Sequence, residues 1–285
     1  MAYLDHIAAC NRHDLSRFRP FVIDGTGVGW VRHDVAHRLA PYPEVFRVGR
    51  DAVTLHPLLT SPQARTEAVG GVALDLHRAW GTPAPRGEMY RVAGRFGAPP
   101  LMDIDRGVVS LFGIRAYGIH VNGLVRRPDG DHLWIARRSP DKSVAPGALD
   151  NMVAGGQPGA LSLADNLLKE AAEEADIPAA LAATARPVGA IAYCMEDEWG
   201  LKPDVMFCYD LAVPEDFVPR NTDGEIDRFT LMPVAEVARL VRDTTRFKFN
   251  VNLVILDFLI RHGHLSPDRE PDYLDLVAGL RRGVR

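Results

Sequence analysis

The sequence has few cysteines, and their spacing fits neither a disulfide framework nor a zinc site. Cys10, Cys194 and Cys208 are far apart and odd in number, and no C-x-x-C pattern occurs. Disulfide-stabilised secreted domains and zinc sites both need paired or closely spaced cysteines. We therefore expect three free thiols in a reducing compartment.

Long apolar runs and a net positive charge are also absent. No uncharged apolar stretch reaches the ~18 residues that a membrane span needs. The opening stretch MAYLDHIAACNRHD does not have the basic-then-apolar order of a signal peptide. The formal net charge is -4, so no overall basic field attracts nucleic acid or anionic membrane. We expect a cytoplasmic protein with a small-molecule partner, and we leave its oligomeric state open, with a homodimer as one option.

The pattern of apolar residues and turn formers divides the chain into two parts. With 285 residues, 47% of them hydrophobic, the chain is long enough for two ordinary domains or one large one. In the first part, the pattern predicts a hairpin around Asp24, a helix over 62–80 and a strand over 89–92. We predict a smaller α+β domain over residues 1–112 and a second domain over residues 113–285.

In the second part, predicted strands precede and follow an amphipathic helix. This arrangement is typical of an α/β fold in which helices sandwich a mixed sheet. Strands are predicted where apolar residues run between turn formers, and helices where apolar residues recur at helical spacing. The predicted strands are 119–125, 132–136, 187–193, 205–213 and 229–232, and the predicted helices are 162–175, 234–241, 250–262 and one from residue 271.

The segment AGGQPGALSLADNLLKEAAEEADI, residues 154–177, has the features of a metal-binding helix. A capping pattern at Ser162 indicates that a helix begins there. At about 100° per residue, Glu170, Glu173 and Glu174 lie within about a third of the helix circumference. Three carboxylates at this spacing repel each other, and a hard divalent cation such as Mg²⁺ would relieve the repulsion.

An ordinary solvated surface is the alternative, and it is the commoner case for an isolated E-x-x-E-E pattern. Here the carboxylates occur together with a helix cap and with Gly155 and Gly156, whose backbone can come close to a ligand. This combination favours a functional site. Three basic residues ahead of it are candidates for phosphate binding, because cationic side chains suit phosphate oxygens, and a solvated basic loop is the equally weighted alternative. They are Arg137, Arg138 and Lys142.

The same segment resembles the Nudix box, G-x5-E-x7-R-E-U-x-E-E-x-G-U, in which U is apolar. Gly155 takes the first position, and Glu170, Glu173 and Glu174 take the metal-binding positions. The resemblance implies a Nudix α/β/α sandwich with a mixed sheet, and Mg²⁺ or Mn²⁺ bound by these glutamates. Three positions depart from the box, where its first Glu, its Arg and its Gly are replaced by Leu161, Lys169 and Asp176.

These departures change the predicted support of the site. In the family, the first Glu and the Arg pair with each other and brace the loop. Because Leu161 and Lys169 cannot form that pair, we expect Leu161 to pack against apolar neighbours instead. Asp176 is compatible with the end of the helix, since aspartate adopts left-handed conformations more readily than most residues.

The resemblance extends to a branch of the Nudix family that carries an extra N-terminal domain. ARRSPDKSVAPGALDNMVAGG and the Asp-Gly-Glu at 223–225 are similar to that branch, which is related to the Nudix part of thiamine pyrophosphokinase-associated proteins. The resemblance implies that Glu225 reaches the metal site or positions water, and a polar loop is the alternative. It also suggests that Arg86 and Glu88 contact the substrate from the N-terminal domain.

Together these features predict a metal-dependent hydrolase that cleaves a diphosphate linkage in a small molecule. Glu174 or Glu225 would accept the proton of the attacking water. The resemblance implies thiamine diphosphate or a damaged analogue as substrate. The alternatives are a nucleoside diphosphate derivative, or a non-catalytic sensor that binds a diphosphate through the altered box. Mg²⁺-dependent turnover would separate an enzyme from a sensor.

Overall fold

The structure is a computed structural model that describes residues 2–283. Helix α1 (Tyr3–Cys10) comes first and is followed by an α+β region. The sheet strands of this region are β1 (Phe18–Ile23), β2 (Thr26–Arg32), β3 (Phe46–Val48) and β4 (Val53–Leu55), and its helices are α2 (His33–Leu39) and α3 (Pro62–Trp80). The four strands form one sheet in the order β2-β1-β4-β3.

Local sequence explains how these elements begin and end. β1 and β2 form the predicted hairpin, and its turn has Asp24 at φ 48° and Gly25 at φ 76°, the left-handed conformations that a tight turn needs. Helix α3 covers the predicted range. The side chain of Ser61 accepts a hydrogen bond from the amide of Ala64 at its start, and Gly81 ends it at φ 66°.

A separate hairpin lies between this sheet and the second part of the chain. Its strands are β5 (Met89–Val92), as predicted, and β6 (Met102–Asp105), which pair antiparallel. The amide of Gly159 donates a 2.9 Å hydrogen bond to the carbonyl of Met89, so β5 lies directly against the loop before the acidic helix.

The second part is built on a seven-stranded mixed sheet. Its main path runs β11-β14-β7-β8-β15, with β10 paired to β7 and β9 paired to β8. β14 and β7 are parallel, and the other pairs are antiparallel. The strands are β7 (Tyr117–Arg127), β8 (Gly130–Arg138), β9 (Leu149–Asp150), β10 (Val153–Gly156), β11 (Arg186–Ala192), β14 (Val205–Ala212) and β15 (Ile226–Pro233), and a small pair is formed by β12 (Met195–Glu196) and β13 (Leu201–Lys202).

Helices cover both faces of this sheet. On one face, α4 packs Leu167 and Ala171 against Ile119 and Val121 of β7. On the other face, α6 and α7 pack against Leu124 of β7 and its neighbours. The predicted α/β/α sandwich with a mixed sheet is therefore confirmed. The helices are α4 (Leu163–Ala175), α5 (Ala179–Ala182), α6 (Val234–Asp243), α7 (Val251–Arg261) and α8 (Tyr273–Gly279).

Helix α1, which the sequence analysis did not predict, packs on the second part rather than on the first. Tyr3, Ile7 and Cys10 belong to the same apolar cluster as α6, α7 and α8. The His6 ring lies 2.6 Å from the carbonyl oxygen of Val241. The first helix of the chain therefore packs against the last three. The predicted domain boundary at residue 113 stays a prediction.

Membrane-spanning helices and disulfides, neither of which the sequence analysis predicted, can be sought in residues 2–283. No helix in this range is long and apolar enough to cross a membrane. Cys10, Cys194 and Cys208 are all buried and none forms a disulfide. Cys10 and Cys208 belong to the apolar cluster of α6 and α7, and Cys194 belongs to a small cluster with Phe18 and Leu201.

Candidate active site

The acidic helix α4 begins and ends as its sequence requires. The side chain of Ser162 accepts a 3.1 Å hydrogen bond from the amide of Asp165, and the Ser162 hydroxyl also donates to the Asp165 carboxylate at 2.6 Å. The helix ends at Asp176, whose φ of 52° is left-handed. Both the predicted cap and the predicted tolerance for aspartate at this position are confirmed. Because the apolar side of α4 packs on β7, the rotation of the helix about its axis is fixed, and so is the side on which each glutamate lies.

Two of the three predicted metal ligands face β10. The carboxylate of Glu174 is buried and accepts a 2.8 Å hydrogen bond from the amide of Ala154. Gly155 lies against Glu170, because a Cβ at position 155 would stand 2.3 Å from the Glu170 carboxyl carbon. A side chain at the glycine that opens the box would thus displace the Glu170 carboxylate, and the packing of β10 on α4 keeps the two acids close together.

Burial and neighbouring charge disturb both carboxyl groups. Burial raises the pKa of Glu174 well above its ordinary value, the Ala154 amide opposes this, and the charges of Asp150, Glu170 and Glu225 add to the rise. Burial also raises the pKa of Glu170, against the opposing charge of Lys169. Acidic groups are therefore concentrated at the β10 side of α4, where a divalent cation would be stabilised.

Glu173, the third predicted ligand, is engaged by Lys169 instead. The Lys169 ammonium lies 2.6 Å from the Glu173 carboxylate and 3.2 Å from that of Glu170. Within residues 2–283, no three His, Cys, Asp or Glu side chains converge as a ready-made metal site. The donor chemistry nevertheless fits Mg²⁺ or Mn²⁺, because three carboxylates lie on adjoining turns and a lysine ammonium already bridges two of them. The Lys169 side chain is 43% exposed, so it can swing into solvent when another cation replaces it.

Glu225 is brought to the site by a loop fastened to the end of α4. The Thr222 hydroxyl donates a 2.6 Å hydrogen bond to the carbonyl of Glu173, and the Arg220 amide donates to the carbonyl of Ala175 at 3.1 Å. These contacts satisfy carbonyls that the helix end leaves free. The Glu225 carboxylate then pairs with the Lys142 ammonium. Although burial would raise the pKa of Glu225, the hydrogen bond and charge of Lys142 lower it overall.

The three basic candidates have different surroundings. Lys142 faces the site through Glu225, as described above. Arg137 is 42% exposed and lies 3.8 Å from Asp227, an ion pair on the surface. Arg138 is buried, and its guanidinium donates to Asp150 at 2.8 Å and to the carbonyl of Val144 at 2.9 Å. Arg138 thus holds the loop before β9, and its predicted phosphate contact stays a prediction.

Both N-terminal candidates lie at the edge of the same site. The Arg86 guanidinium donates to the Ser143 hydroxyl at 3.3 Å, one residue after Lys142. Glu88 forms a 2.6 Å ion pair with Arg106, and its negative charge is among those that raise the pKa of Glu170. The β5–β6 hairpin therefore carries charged groups to the loop side of α4.

The altered brace is replaced by hydrogen bonds from two amide side chains. Leu161 is half-buried and lies outside the apolar clusters of the described residues, so its predicted packing role is not supported. The Gln157 side chain donates to the carbonyl of Leu161 at 2.8 Å, and the Asn166 side chain donates to the carbonyl of Gly156 at 2.8 Å. Polar contacts to the backbone thus fix the loop where the family uses an ion pair.

The sequence analysis missed the polar groups beneath the site. Asp150 is 1% exposed, and Asn151 beside it is hydrogen-bonded to His120 at 2.9 Å and to Asn122 at 2.8 Å. Burial lowers the pKa of His120 to about 4, so this histidine is a neutral core residue. Adjacent Asp and Asn at a predicted loop are usually turn formers, so the sequence did not indicate that these two residues are buried.

Comparison with known proteins adds the following findings. A family model described as a domain of unknown function (DUF4743) matches residues 2–116. Nudix hydrolase 24, chloroplastic, from Arabidopsis thaliana is 44% identical over 285 residues, which is 99% of this chain and 78% of that protein. Nudix hydrolase 20, chloroplastic, from the same plant is 42% identical over 290 residues, with 98% and 77% covered.

Among solved structures, the NUDIX domain of Shewanella oneidensis NrtR complexed with ADP ribose is similar to about half of this chain. The two are 14% identical, the match covers 53% of this chain and 90% of that one, and the TM-score is 0.41. The classification rests on the sequence relatives, whose identity of 42–44% extends over nearly all of this chain. The expectation of a Nudix-type hydrolase with an extra N-terminal region is confirmed, and the chain belongs to the Nudix hydrolase family.

Proposed function

We propose that this protein cleaves a diphosphate linkage in a small molecule with the help of Mg²⁺ or Mn²⁺ bound by Glu170, Glu173 and Glu174. The observation that carries the proposal is the contact of α4 with β10, where Gly155 and the Ala154 amide hold two of these carboxylates together. When bound, the cation would neutralise charge on the diphosphate and lower the pKa of a bound water.

The candidate general bases, Glu174 and Glu225, differ in electrostatic environment. Burial raises the pKa of Glu174, whereas Lys142 offsets burial and lowers the pKa of Glu225. A base acts best when its pKa lies near the working pH. We therefore assign proton acceptance to Glu174 and assign Glu225 to orienting the water or Lys142. The two roles follow from one buried and one cation-paired carboxylate.

Binding of the phosphate groups is assigned to the cations and glycines around the loop. Lys142 pairs with Glu225 in a partly exposed ion pair, and it can exchange that carboxylate for a phosphate oxygen of the substrate. Arg137 is exposed, and its guanidinium makes a 3.8 Å ion pair with Asp227 and a 3.4 Å hydrogen bond to the carbonyl of Gly147, so it is available to a ligand at modest cost. Gly155 and Gly156 keep side chains away from the carboxylates and let the backbone approach the diphosphate.

For the organic part of the substrate we propose a planar heteroaromatic ring, with thiamine diphosphate or a damaged analogue as the favoured compound. A cavity of about 250 Å³ lies between β2 and the start of β7, with Trp30 and Tyr117 in its lining. Tyr117 stacks on Phe207 at 6.0 Å, and Phe96 packs against both rings. This volume suits one ring system, and the lining combines aromatic rings with polar groups, as sites for small heteroaromatic ligands do.

A nucleoside diphosphate derivative is the second candidate, because the same aromatic lining also accepts a nucleobase. The decisive experiment is a competition assay in Mg²⁺ with thiamine diphosphate, its oxidised analogues, ADP-ribose, NADH and diadenosine polyphosphates. We expect kcat/KM to be highest for a thiamine compound, with thiamine monophosphate and inorganic phosphate as products. A nucleotide substrate with a much higher kcat/KM than every thiamine compound would replace the first candidate with the second.

A further inference from the structure

We infer that Tyr90 and Arg106, from the β5–β6 hairpin, bind the substrate diphosphate from the side opposite α4. This inference rests on the proposed function and adds two substrate-positioning residues to it. Neither residue belongs to the Nudix box or to the basic loop that precedes it. The inference gives the N-terminal region a direct part in binding and assigns the ligand chemistry, a diphosphate group accompanied by a divalent cation.

The hairpin is fixed to the box loop at two places. Gly159 donates its amide hydrogen bond to Met89, and a Cβ at position 159 would lie 3.0 Å from the amide nitrogen of Arg91. Gly156 lies against Tyr90, because a Cβ at position 156 would stand 1.8 Å from the Tyr90 hydroxyl oxygen. β5 therefore packs closely against the backbone of the box, and a side chain at position 156 would displace the Tyr90 hydroxyl.

Tyr90 combines a buried ring with a hydroxyl that has no protein partner. The residue is 6% exposed, and its ring belongs to the apolar cluster of the N-terminal region. Among residues 2–283, no side chain or backbone group hydrogen-bonds to its hydroxyl. The hydroxyl oxygen is nevertheless not completely shielded from solvent, so a ligand can reach it. A phenylalanine would fill the same apolar space. A hydroxyl placed beside Gly156 without a protein partner is suited to donate to a ligand.

Arg106 supplies a positive charge at the same edge. Its guanidinium pairs with Glu88 at 2.6 Å, yet the side chain remains 44% exposed. Its charge helps to lower the pKa of Glu225 and opposes the rise that burial causes in the pKa of Tyr90, so its field reaches both the Nudix loop and β5. Without added cations, the carboxylates Glu88, Glu170, Glu174 and Glu225 would repel a diphosphate. A guanidinium in this position offsets that repulsion and matches phosphate geometry.

The test measures binding of methylenediphosphonate, a non-hydrolysable diphosphate, to the full chain in Mg²⁺ by isothermal titration calorimetry. We expect Tyr90→Phe and Arg106→Gln each to weaken binding about ten-fold, the loss of one hydrogen bond to a charged group. Arg106→Lys should recover part of the affinity. With a turned-over substrate, KM should rise by a similar factor while kcat changes by less than about two-fold.

Two matched controls come from the same region. Tyr42→Phe removes a hydroxyl from a tyrosine packed on the same apolar cluster, and Arg78→Gln removes an exposed charge from α3. Both should bind like wild type, and all variants should melt at similar temperatures. The inference is overturned if wild type does not bind methylenediphosphonate, or if Tyr90→Phe and Arg106→Gln bind as tightly as the controls.

The outcome for the proposed function is distinguishable from this one. If wild type hydrolyses no compound of the diphosphate panel but the two variants still bind methylenediphosphonate more weakly, the site binds diphosphates without cleaving them. The inference then stands and the proposed function fails. If wild type hydrolyses a diphosphate and the two variants match it in affinity and in KM, the function stands and the inference fails.

Discussion

The N-terminal region and the Nudix region bury different kinds of side chain. In the N-terminal region, the core is apolar and aromatic, with Phe21, Phe46 and Phe112 at centroid distances of 5.5 to 6.2 Å. In residues 2–283, every buried polar or charged residue lies after residue 113 except His6, Arg65, Thr82 and Ser110. The Nudix region instead buries carboxylates and amides, some beside α4, such as Glu174 and Asn166, and others beside α7, such as Asp210 and Asp257.

The apolar core of the N-terminal region mainly stabilises the fold, whereas the buried polar groups of the Nudix region are suited to chemistry. Buried polar groups cost free energy unless they are fully hydrogen-bonded, so a region that keeps many of them is organised around a site. The N-terminal region is a packed apolar unit, and its β5–β6 hairpin contacts the loop before α4. Substitutions in the two regions should therefore have opposite effects on activity and stability.

The largest difference between the two regions is expected when one glycine in each is replaced by alanine. A Cβ at Gly155 would collide with the movable carboxylate of Glu170, so Gly155→Ala should displace a ligand and lower kcat/KM about 100-fold with little loss of stability. A Cβ at Gly70, within α3, would meet nothing within 4 Å. Gly70→Ala should keep full activity and gain about 0.5–1 kcal/mol in the free energy of unfolding. Equal activity of the two variants would break the comparison.

A smaller effect is expected in stability at a carboxylate of the site. Because burial raises the pKa of Glu174, its ionisation disfavours the folded state increasingly as pH rises above the ordinary glutamate value. In EDTA at pH 8, Glu174→Gln should therefore raise Tm by about 3 °C, and the gain should vanish near pH 4.

The exposed neighbour provides the control for this prediction. Glu173 is 46% exposed and paired with Lys169, so Glu173→Gln should change Tm by less than about 1 °C at either pH. Thermal unfolding followed by circular dichroism measures both variants. A lower Tm for Glu174→Gln at pH 8, or a gain independent of pH, would show that ionised Glu174 is stabilised by its surroundings.

The periodic elements and the ends of the acidic helix could be predicted from sequence, because their causes are local. Helix α3 and helix α4 follow from apolar spacing and from serine caps at Ser61 and Ser162. Glu170 and Glu174 could be placed on one helix face for the same reason. Short strands such as β9 could not be predicted, since two residues carry no period and their strand conformation comes from pairing with β8.

The contribution of the N-terminal region to the site could be predicted only in outline. Arg86 and Glu88 were proposed from resemblance and lie at the site edge, but Tyr90 in a predicted strand is indistinguishable from a core aromatic. The role proposed for its hydroxyl depends on the contact with Gly156, which is far away in sequence. Lys169 stands where the family has the Arg of an ion pair that this chain lacks. In the structure it pairs instead with two glutamates of the box.

The central claim is that the α4 carboxylates bind a divalent cation used to cleave a diphosphate. The most direct measurement is phosphate or monophosphate release by the full chain, before and after EDTA treatment and after Mg²⁺ is added back. We predict turnover that stops in EDTA and returns with Mg²⁺, and a loss of at least about 100-fold in folded Glu173→Gln and Glu174→Gln. Metal-independent turnover, full activity in both variants, or no turnover of any diphosphate would contradict the claim.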